Sequence, residues 1–438
     1  MFSNVLSCPL IHGTSGLPVE VVGLIIAYYM EDADFLEPSL MNSANRRLLC
    51  SAPLCHLLSL RLLSKSWNDA IIPFVYKDLY LATPAMCMGI LLSFNGSHRF
   101  AIFSGLRKIC LSGVVFVSEC VKHGSSLGGS NGNQDGRCIP GNVTNHSAIG
   151  MDLEAELIGV CGGSLEELDS ILFHSVGFSP DLRVAIGGME KLKALGIVGG
   201  MFRNTWNDSD SLVSLLNSTP SLESLSIRCA SLACLKLDVG ALPNLVHLCL
   251  VVERNNVGAF VDLCESEGRN VRFLELTIAA GRDQAGPIVL ALKHSLEAVF
   301  IDPSPSRLPT DVLDLTFPRL RVLRCVRCDS TPASYSWLRI PVYQTMEVLV
   351  TSYRHANGYW KNLLDLMQYV PVVLPPKFKT ILFVNSRGPE LYDDELVQAF
   401  RYYGIKCMFT YHLTYKEVIG DELLACMAAD VVILFVAF

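Results

Sequence analysis

Cys325 and Cys328 stand in a Cys325-Val-Arg-Cys328 spacing that can ligate zinc or exchange disulfides. A zinc site needs four ligands, however, and no second pair at suitable spacing follows. Cys325 also ends the apolar run Leu320-Arg-Val-Leu323-Arg-Cys325, so both thiols are expected to pack as small apolar side chains. Asp393-Asp394-Glu395 could offer paired carboxylates for acid–base or metal chemistry. It precedes the apolar-periodic LVQAFRYYG, and the expectation is the charged first turn of a helix. Gly187-Gly188 and Gly199-Gly200 lack the lysine and the spacing of a phosphate loop and are read as turns. The ten histidines show no pairing at ligand spacing, and no Gly-x-Ser-x-Gly elbow occurs. Nothing assembles a nucleophile, a base and an oxyanion donor. The expectation is a protein that is not an enzyme, with no catalytic residues, no metal and no cofactor.

The elements that would hold these residues come from a repeated template, apolar-x-x-apolar-x-apolar. It reads Leu192-Lys-Ala-Leu195-Gly-Ile197, Leu222-Glu-Ser-Leu225-Ser-Ile227, Leu245-Val-His-Leu248-Cys-Leu250 and Val271-Arg-Phe-Leu274-Glu-Leu276. It continues through Leu296-Glu-Ala-Val299-Phe-Ile301, Leu320 to Cys325, Met346-Glu-Val-Leu349-Val-Thr351 and Phe378-Lys-Thr-Ile381-Leu-Phe383, with Leu106 and Leu165 opening earlier copies. From Leu192 to Met346 the steps are 30, 23, 26, 25, 24 and 26 residues, within the ~20–29-residue period of leucine-rich repeats. The last two apolar positions lie two apart, so in a strand both point inward. The returns are long enough for a helix and two turns, and several read as helices: SDSLVSLLNSTP, VGAFVDLCESEG, GPIVLALKH and WKNLLDLMQYV. One unit cannot bury its own apolar face, whereas stacked units bury a continuous core. The predicted fold class is therefore α/β: an irregular leucine-rich-repeat solenoid, lacking the asparagine of the tidy consensus, with a parallel sheet on its concave side.

Strand positions alternating with the buried ones would face a protein ligand. These are Ser224, Ser226 and Arg228, then His247, Phe273, Glu275, Phe300, Asp302, Arg324 and Val350. Exposed Phe273, Phe300 and Arg324 are expected to carry most of the binding energy, because aromatic and arginine anchors dominate interfaces.

Bulk composition narrows the partners. Hydrophobic residues make up 50% of the 438 and charged residues 18%, which argues against disorder over most of the chain. A net charge of −7, with basic runs no longer than pairs such as Arg46-Arg47, argues against nucleic acid. Sixteen scattered cysteines, many inside apolar runs, and an opening segment without a basic, apolar leader fit a reducing compartment, cytosol or nucleus. No apolar run approaches the ~20 residues that span a bilayer, so no membrane partner is expected. The terminal VVILFVAF reads as a closing strand or cap.

Texture divides the chain further. Residues 1–16 read as a flexible N-terminus, 17–85 as a dense helical segment interrupted by an insertion at about 31–54, and 100–122 as a first repeat. A Gly/Ser/Asn-rich loop spans 123–150, and the solenoid with its C-terminal cap takes 151–438. In the helical segment, LPVEVVGLIIAYY starts with Pro18 in a first-turn position. LLSLRLLSKSWNDAIIPFVYKDLYL resumes as a helix to about Ala70 that breaks before Pro73 and runs into an extended segment at Val75 to Leu81.

These two elements resemble an F-box, especially the F-box-like heads of fungal proteins that carry repeats behind them. The family's Leu-Pro-x-Glu opening and apolar helix match Leu17, Pro18, Glu20, Val21, Leu24 and Ile25; its apolar-Ser-Lys/Arg-x-Trp close matches Leu63, Ser64, Lys65 and Trp67. The family joins the two by a shorter stretch than this chain does. The resemblance implies the substrate-recognition subunit of a cullin-type (SCF) ubiquitin ligase. A Skp-family adaptor, and through it the cullin complex, would dock on Leu17, Pro18, Val21, Leu24, Ile25, Leu62, Leu63 and Trp67, while the repeats hold an unknown protein substrate. The alternative is a leucine-rich-repeat interaction scaffold with no ligase partner. Trp67 itself reads as core, since large aromatics lock small helical folds.

Overall fold

The computed structural model describes residues 17–32, 51–94, 105–115, 148–173, 176–199, 207–265, 269–278, 284–302, 304, 308–328, 337–384, 393–410 and 413–419. The N-terminal 1–16, most of the insertion, loop residues 123–147 and the terminal VVILFVAF lie outside them.

Three helices come first: α1 (Val19–Asp32), α2 (Ser51–Leu60) and α3 (Lys65–Val75). The single helix predicted to resume after the insertion is two, because Ser64 caps a new start by accepting from the Trp67 amide at 3.3 Å. Nor does Pro73 end α3, which runs on to Val75. The carbonyl that proline leaves without a donor belongs to Asp69, which is exposed and can turn to water.

From Asp78 onward the chain builds one 13-stranded sheet in which every pairing between strands is parallel. Its strands are β1 (Asp78–Leu81), β2 (Lys108–Val115), β3 (Ile149–Gly150), β4 (Glu167–Leu172), β5 (Ala194–Gly199), β6 (Ser224–Cys229) and β7 (His247–Val252). They continue as β8 (Phe273–Ile278), β9 (Ala298–Asp302), β10 (Val322–Cys325), β11 (Val348–Ser352), β12 (Thr380–Val384) and β13 (Lys406–Thr410). Apart from β3, which pairs β2 alone, each strand lies beside its predecessor, and among the described residues the sheet runs from β1 to β13 without closing. The sheet thus begins within the stretch expected to be extended, Val75 to Leu81, at the end of the N-terminal segment. The helix Pro84–Phe94 that follows β1, and β13 itself, carry no copy of the template.

One ladder row runs through Leu168, Leu195, Leu225, Leu248, Leu274, Val299, Leu323, Leu349 and Ile381. All are buried in one core with side chains from the returning helices, among them Leu212, Phe260 and Leu363. Just before each strand, one carbonyl receives two amides from the next unit: Lys193 O from Glu223 and Ser224, Glu223 O from Val246 and His247, Val246 O from Arg272 and Phe273. The same pattern repeats at Arg272, Glu297, Arg321 and Glu347, so the register is locked at every step. Of the predicted return helices, Ser209–Asn217 and Val257–Glu265 form as expected, Gly286–Ala291 is shorter, and Tyr353–Met367 starts earlier.

Gly113 has a φ of +83° where the β2–β4 register shifts. Glycine tolerates that conformation, and the bulge lets β2 pair with β3 at Val114–Ile149. Gly187-Gly188 ends the helix Pro180–Gly187, as a turn should. Gly199 instead closes β5, where a Cβ would come within 2.9 Å of Leu172 Cβ.

Candidate functional site

Two surfaces are candidates, one on the helices and one on the sheet. In the helical unit, Val22 and Ile26 of α1 meet Leu57, Ala70, Ile71 and Val75 in a small core, with Trp67 half-buried against it. His56 Nδ1 and the Tyr29 hydroxyl, 3.0 Å apart, tie α2 to α1. That core takes one face of α1 only. Leu17, Pro18, Val21, Leu24 (59% exposed), Ile25 and Tyr28 face water, as do Leu62 (81%) and Leu63 in the turn before α3. Seven of the eight residues expected to meet an adaptor are therefore on the surface. Trp67 is the one committed mainly to packing.

The inner face of the sheet, opposite the returning helices, differs from its predicted state. His247, Phe273, Glu275, Phe300, Arg324 and Val350 are buried, as are Ser224 and Ser226; Arg228 and Asp302 are partly exposed. The parity reading placed these side chains on the correct face. What it lacked was the segment lying over them. After β13 the chain returns across the sheet, and Leu413, Tyr415 and Val418 form a second core with Phe273, Phe300, Val322, Val348, Val350, Leu382 and Val384. The C-terminal region therefore does more than cap the last strand.

The return reaches well into the sheet. Tyr415 stacks on His247 of β7 with centroids 4.9 Å apart and planes 6° from parallel, six strands along from β13. The segment lies over an apolar hollow that Phe273, Phe300, Val350 and Leu382 line.

Beneath Tyr415 lies a buried polar chain. Ser224 Oγ is 2.7 Å from His247 Nδ1, His247 Nε2 is 3.7 Å from Glu275 Oε1, and Arg324 Nη1 is 3.8 Å from the same oxygen. The Arg324 guanidinium also sits 4.7 Å above the Phe300 ring. Burial pulls Arg324 below its usual range, with Glu275 acting against it. Serine, histidine and carboxylate in a row are the parts of a hydrolytic relay. Here Tyr415 and Phe273 flank the imidazole, and the cavity beside Phe300, Arg324, Thr351 and Val384 holds about 10 Å³, roughly one water. The imidazole is thus enclosed between two rings, with Arg324 beside the buried Glu275 carboxylate.

Toward β1 the same rows turn charged. Lys108 is buried and reaches Glu167 at 3.1 Å and Asp169 at 4.0 Å. Burial raises the Asp78 and Glu167 carboxyls, and Lys108 draws both back in part. Asp302, at the other end, is likewise raised by burial against the pull of Arg327.

The remaining motifs fall where the spacing placed them. Cys325 and Cys328 are buried in the main core. Asp393 caps the helix Asp394–Tyr402, accepting from the Leu396 amide at 3.2 Å, the Tyr353 hydroxyl at 2.8 Å and Lys361 at 3.1 Å. Among the described residues, no helix is long and apolar enough to cross a membrane.

The template missed residues that lie outside it. Asn256 is buried, donating to Cys229 O at 2.7 Å and Val251 O at 2.9 Å while accepting from the Glu253 amide at 2.8 Å. Asn207 accepts from the Val176 amide at 2.7 Å and donates to Ser231 O. Both staple neighbouring units just beyond their strands. Leu413, Tyr415 and Val418 were missed as well, although Thr414-x-x-Glu417 carries the signature of a helix start.

No protein-family model matches the chain, and no curated protein is significantly similar to it.

Proposed function

We propose that this chain is the substrate-recognition subunit of a cullin-type ubiquitin ligase. In this reading the three N-terminal helices are an F-box-like unit that docks on a Skp-family adaptor. The sheet and its returning helices are an irregular leucine-rich-repeat solenoid that holds a protein substrate, acting by binding and without catalysis. One observation carries it: α1 fills its own core with Val22 and Ile26 yet leaves Leu17, Val21, Leu24, Ile25 and Tyr28 exposed. A small module with surplus apolar side chains on one helix is suited to a partner's groove. The Leu17-Pro18-x-Glu20 opening and the Leu63-Ser64-Lys65-x-Trp67 close support the choice of partner.

The test is capture of a purified Skp-family adaptor by the full chain, followed by size-exclusion chromatography. A one-to-one complex is expected, and Leu24→Asp with Ile25→Asp should abolish it while the urea unfolding midpoint stays within error. Both side chains are exposed, so folding is a fair control. A folded wild-type chain that captures no adaptor overturns the ligase reading and leaves a repeat scaffold with no ligase partner.

A further inference from the structure

The segment over the inner face is organised by itself. Thr414 and Glu417 form a reciprocal cap: the Glu417 carboxylate accepts from the Thr414 amide at 2.6 Å and hydroxyl at 2.8 Å, and the Glu417 amide donates to Thr414 Oγ1 at 3.3 Å. Val418 N–H closes the turn on Thr414 O at 3.0 Å. Among the described residues, no backbone hydrogen bond joins 413–419 to the sheet. Side chains make its contacts with the sheet among the described residues. Leu413, Tyr415 and Val418 enter the apolar hollow. The Tyr415 hydroxyl donates to Glu223 Oε2 at 3.3 Å, kept protonated by burial and by the Glu223 and Glu167 carboxylates. Lys416 Nζ reaches Glu223 at 3.1 Å.

That last contact completes a pattern. From β2 to β12, β3 aside, the residue just before the strand carries alternating charge: Arg107, Glu166, Lys193, Glu223, then, past Val246, Arg272, Glu297, Arg321, Glu347 and Lys379. Neighbours pair, as Lys193 does with Glu223 at 3.9 Å and Arg272 with Glu297 at 2.7 Å. Between β2 and β12 this run is interrupted at Val246, on the side of Glu223 that faces Arg272. Lys416 supplies a cation there from outside the sheet.

We propose that residues 413–418 are an internal ligand, a strap occupying the face that takes the partner. The partner is a protein segment of the same chemistry: one helical turn presenting an apolar residue, an aromatic–basic pair and a second apolar residue. Its aromatic ring stacks on His247 and its cation meets Glu223, and the strap must leave before it binds. A preformed turn that meets the sheet through side chains can be exchanged for another without unpairing any strand. This rests on the reading of the inner face as the partner surface, and it adds what that partner looks like and what competes with it.

The test uses the full chain and a fluorescein-labelled synthetic peptide of residues 413–419, followed by fluorescence anisotropy. Lys416→Glu sets a carboxylate against Glu223 at a half-exposed position, so the chain should stay folded. We expect this variant to bind the peptide at least ten-fold more tightly than wild type. Adding Glu223→Lys should reverse the gain, and a peptide with alanine at the Tyr415 position should not bind. Equal affinity for wild type and Lys416→Glu, or no binding to either while both unfold at the same urea concentration, overturns the proposal. Adaptor capture by Lys416→Glu should match wild type. Loss of the peptide result alone therefore sinks the strap, and loss of adaptor capture alone sinks the ligase reading.

Discussion

The two ends of the inner face occupy equivalent register positions and solve opposite problems. From β1 to β6 the rows carry Asp78, Lys108, Glu167, Asp169, Ser224 and Ser226; from β8 to β12 they carry Phe273, Phe300, Val322, Val348, Val350 and Leu382. At the first end Lys108 pairs with Glu167 and Asp169. Apolar groups at the second end must be covered, and the chain covers them with its own later residues. Parity in a strand fixes which way a side chain points but leaves open what it meets there.

Three substitutions probe that contrast. The largest effect is expected from Phe300→Ala. Removing a fully buried phenyl that meets both Arg324 and the apolar hollow should cost about 3–5 kcal/mol. Urea unfolding should show the same deficit at pH 5 and pH 8, since nothing that titrates is lost.

Lys108→Met should cost about 3 kcal/mol at pH 8, because it leaves buried carboxylates without their cation. This deficit, unlike the first, should shrink in acid. Asp78 and Glu167 already sit above their ordinary range through burial, partly offset by Lys108. A carboxyl raised in the fold contributes its stability below the unfolded value near ~4 and loses it as pH climbs through the folded value. Without Lys108 both rise further, so the loss is complete at pH 8 and small by pH 4. A pH-independent deficit would mean that Lys108 serves by packing alone.

A smaller effect lies under the polar end. Glu154, on the helix Met151–Cys161, is fully buried, accepts from Ser170 Oγ at 3.0 Å and is pushed up to about 7 by burial. By the same sign, its contribution is whole below ~4.5 and is lost through pH 7. Glu154→Gln, which removes the ionisation, should gain on the order of 2 kcal/mol relative to wild type between pH 4.5 and pH 8. Parallel stability curves for the two proteins across that range would contradict it.

Much of the sheet was legible because Leu195, Leu225, Leu248, Leu274, Leu323 and Leu349 repeat at nearly constant spacing and stack in one row. Strands without that leucine rhythm were not. β13 is one: Lys406 leads a strand that is half-buried throughout, whereas β1 fell within the extended stretch read at Val75 to Leu81. The helical unit showed its exposed face in sequence, since Val21, Val22, Leu24, Ile25 and Ile26 exceed what one small core can hide. The cover on Phe273 and Phe300 was not visible, because it comes from residues more than 100 positions away. A trace of it was present: Val322, Val348, Val350 and Leu382 are apolar at positions that open water would leave polar.

The filled hollow can be tested directly by site-resolved thiol labelling, comparing Tyr80→Cys at the polar end with Val350→Cys beneath the strap, each read by mass spectrometry in the native chain. Position 80 is 37% exposed and position 350 fully buried, so labelling at 80 should be faster by at least 100-fold. Equal rates at the two positions would show the apolar end open to water and contradict the covered face.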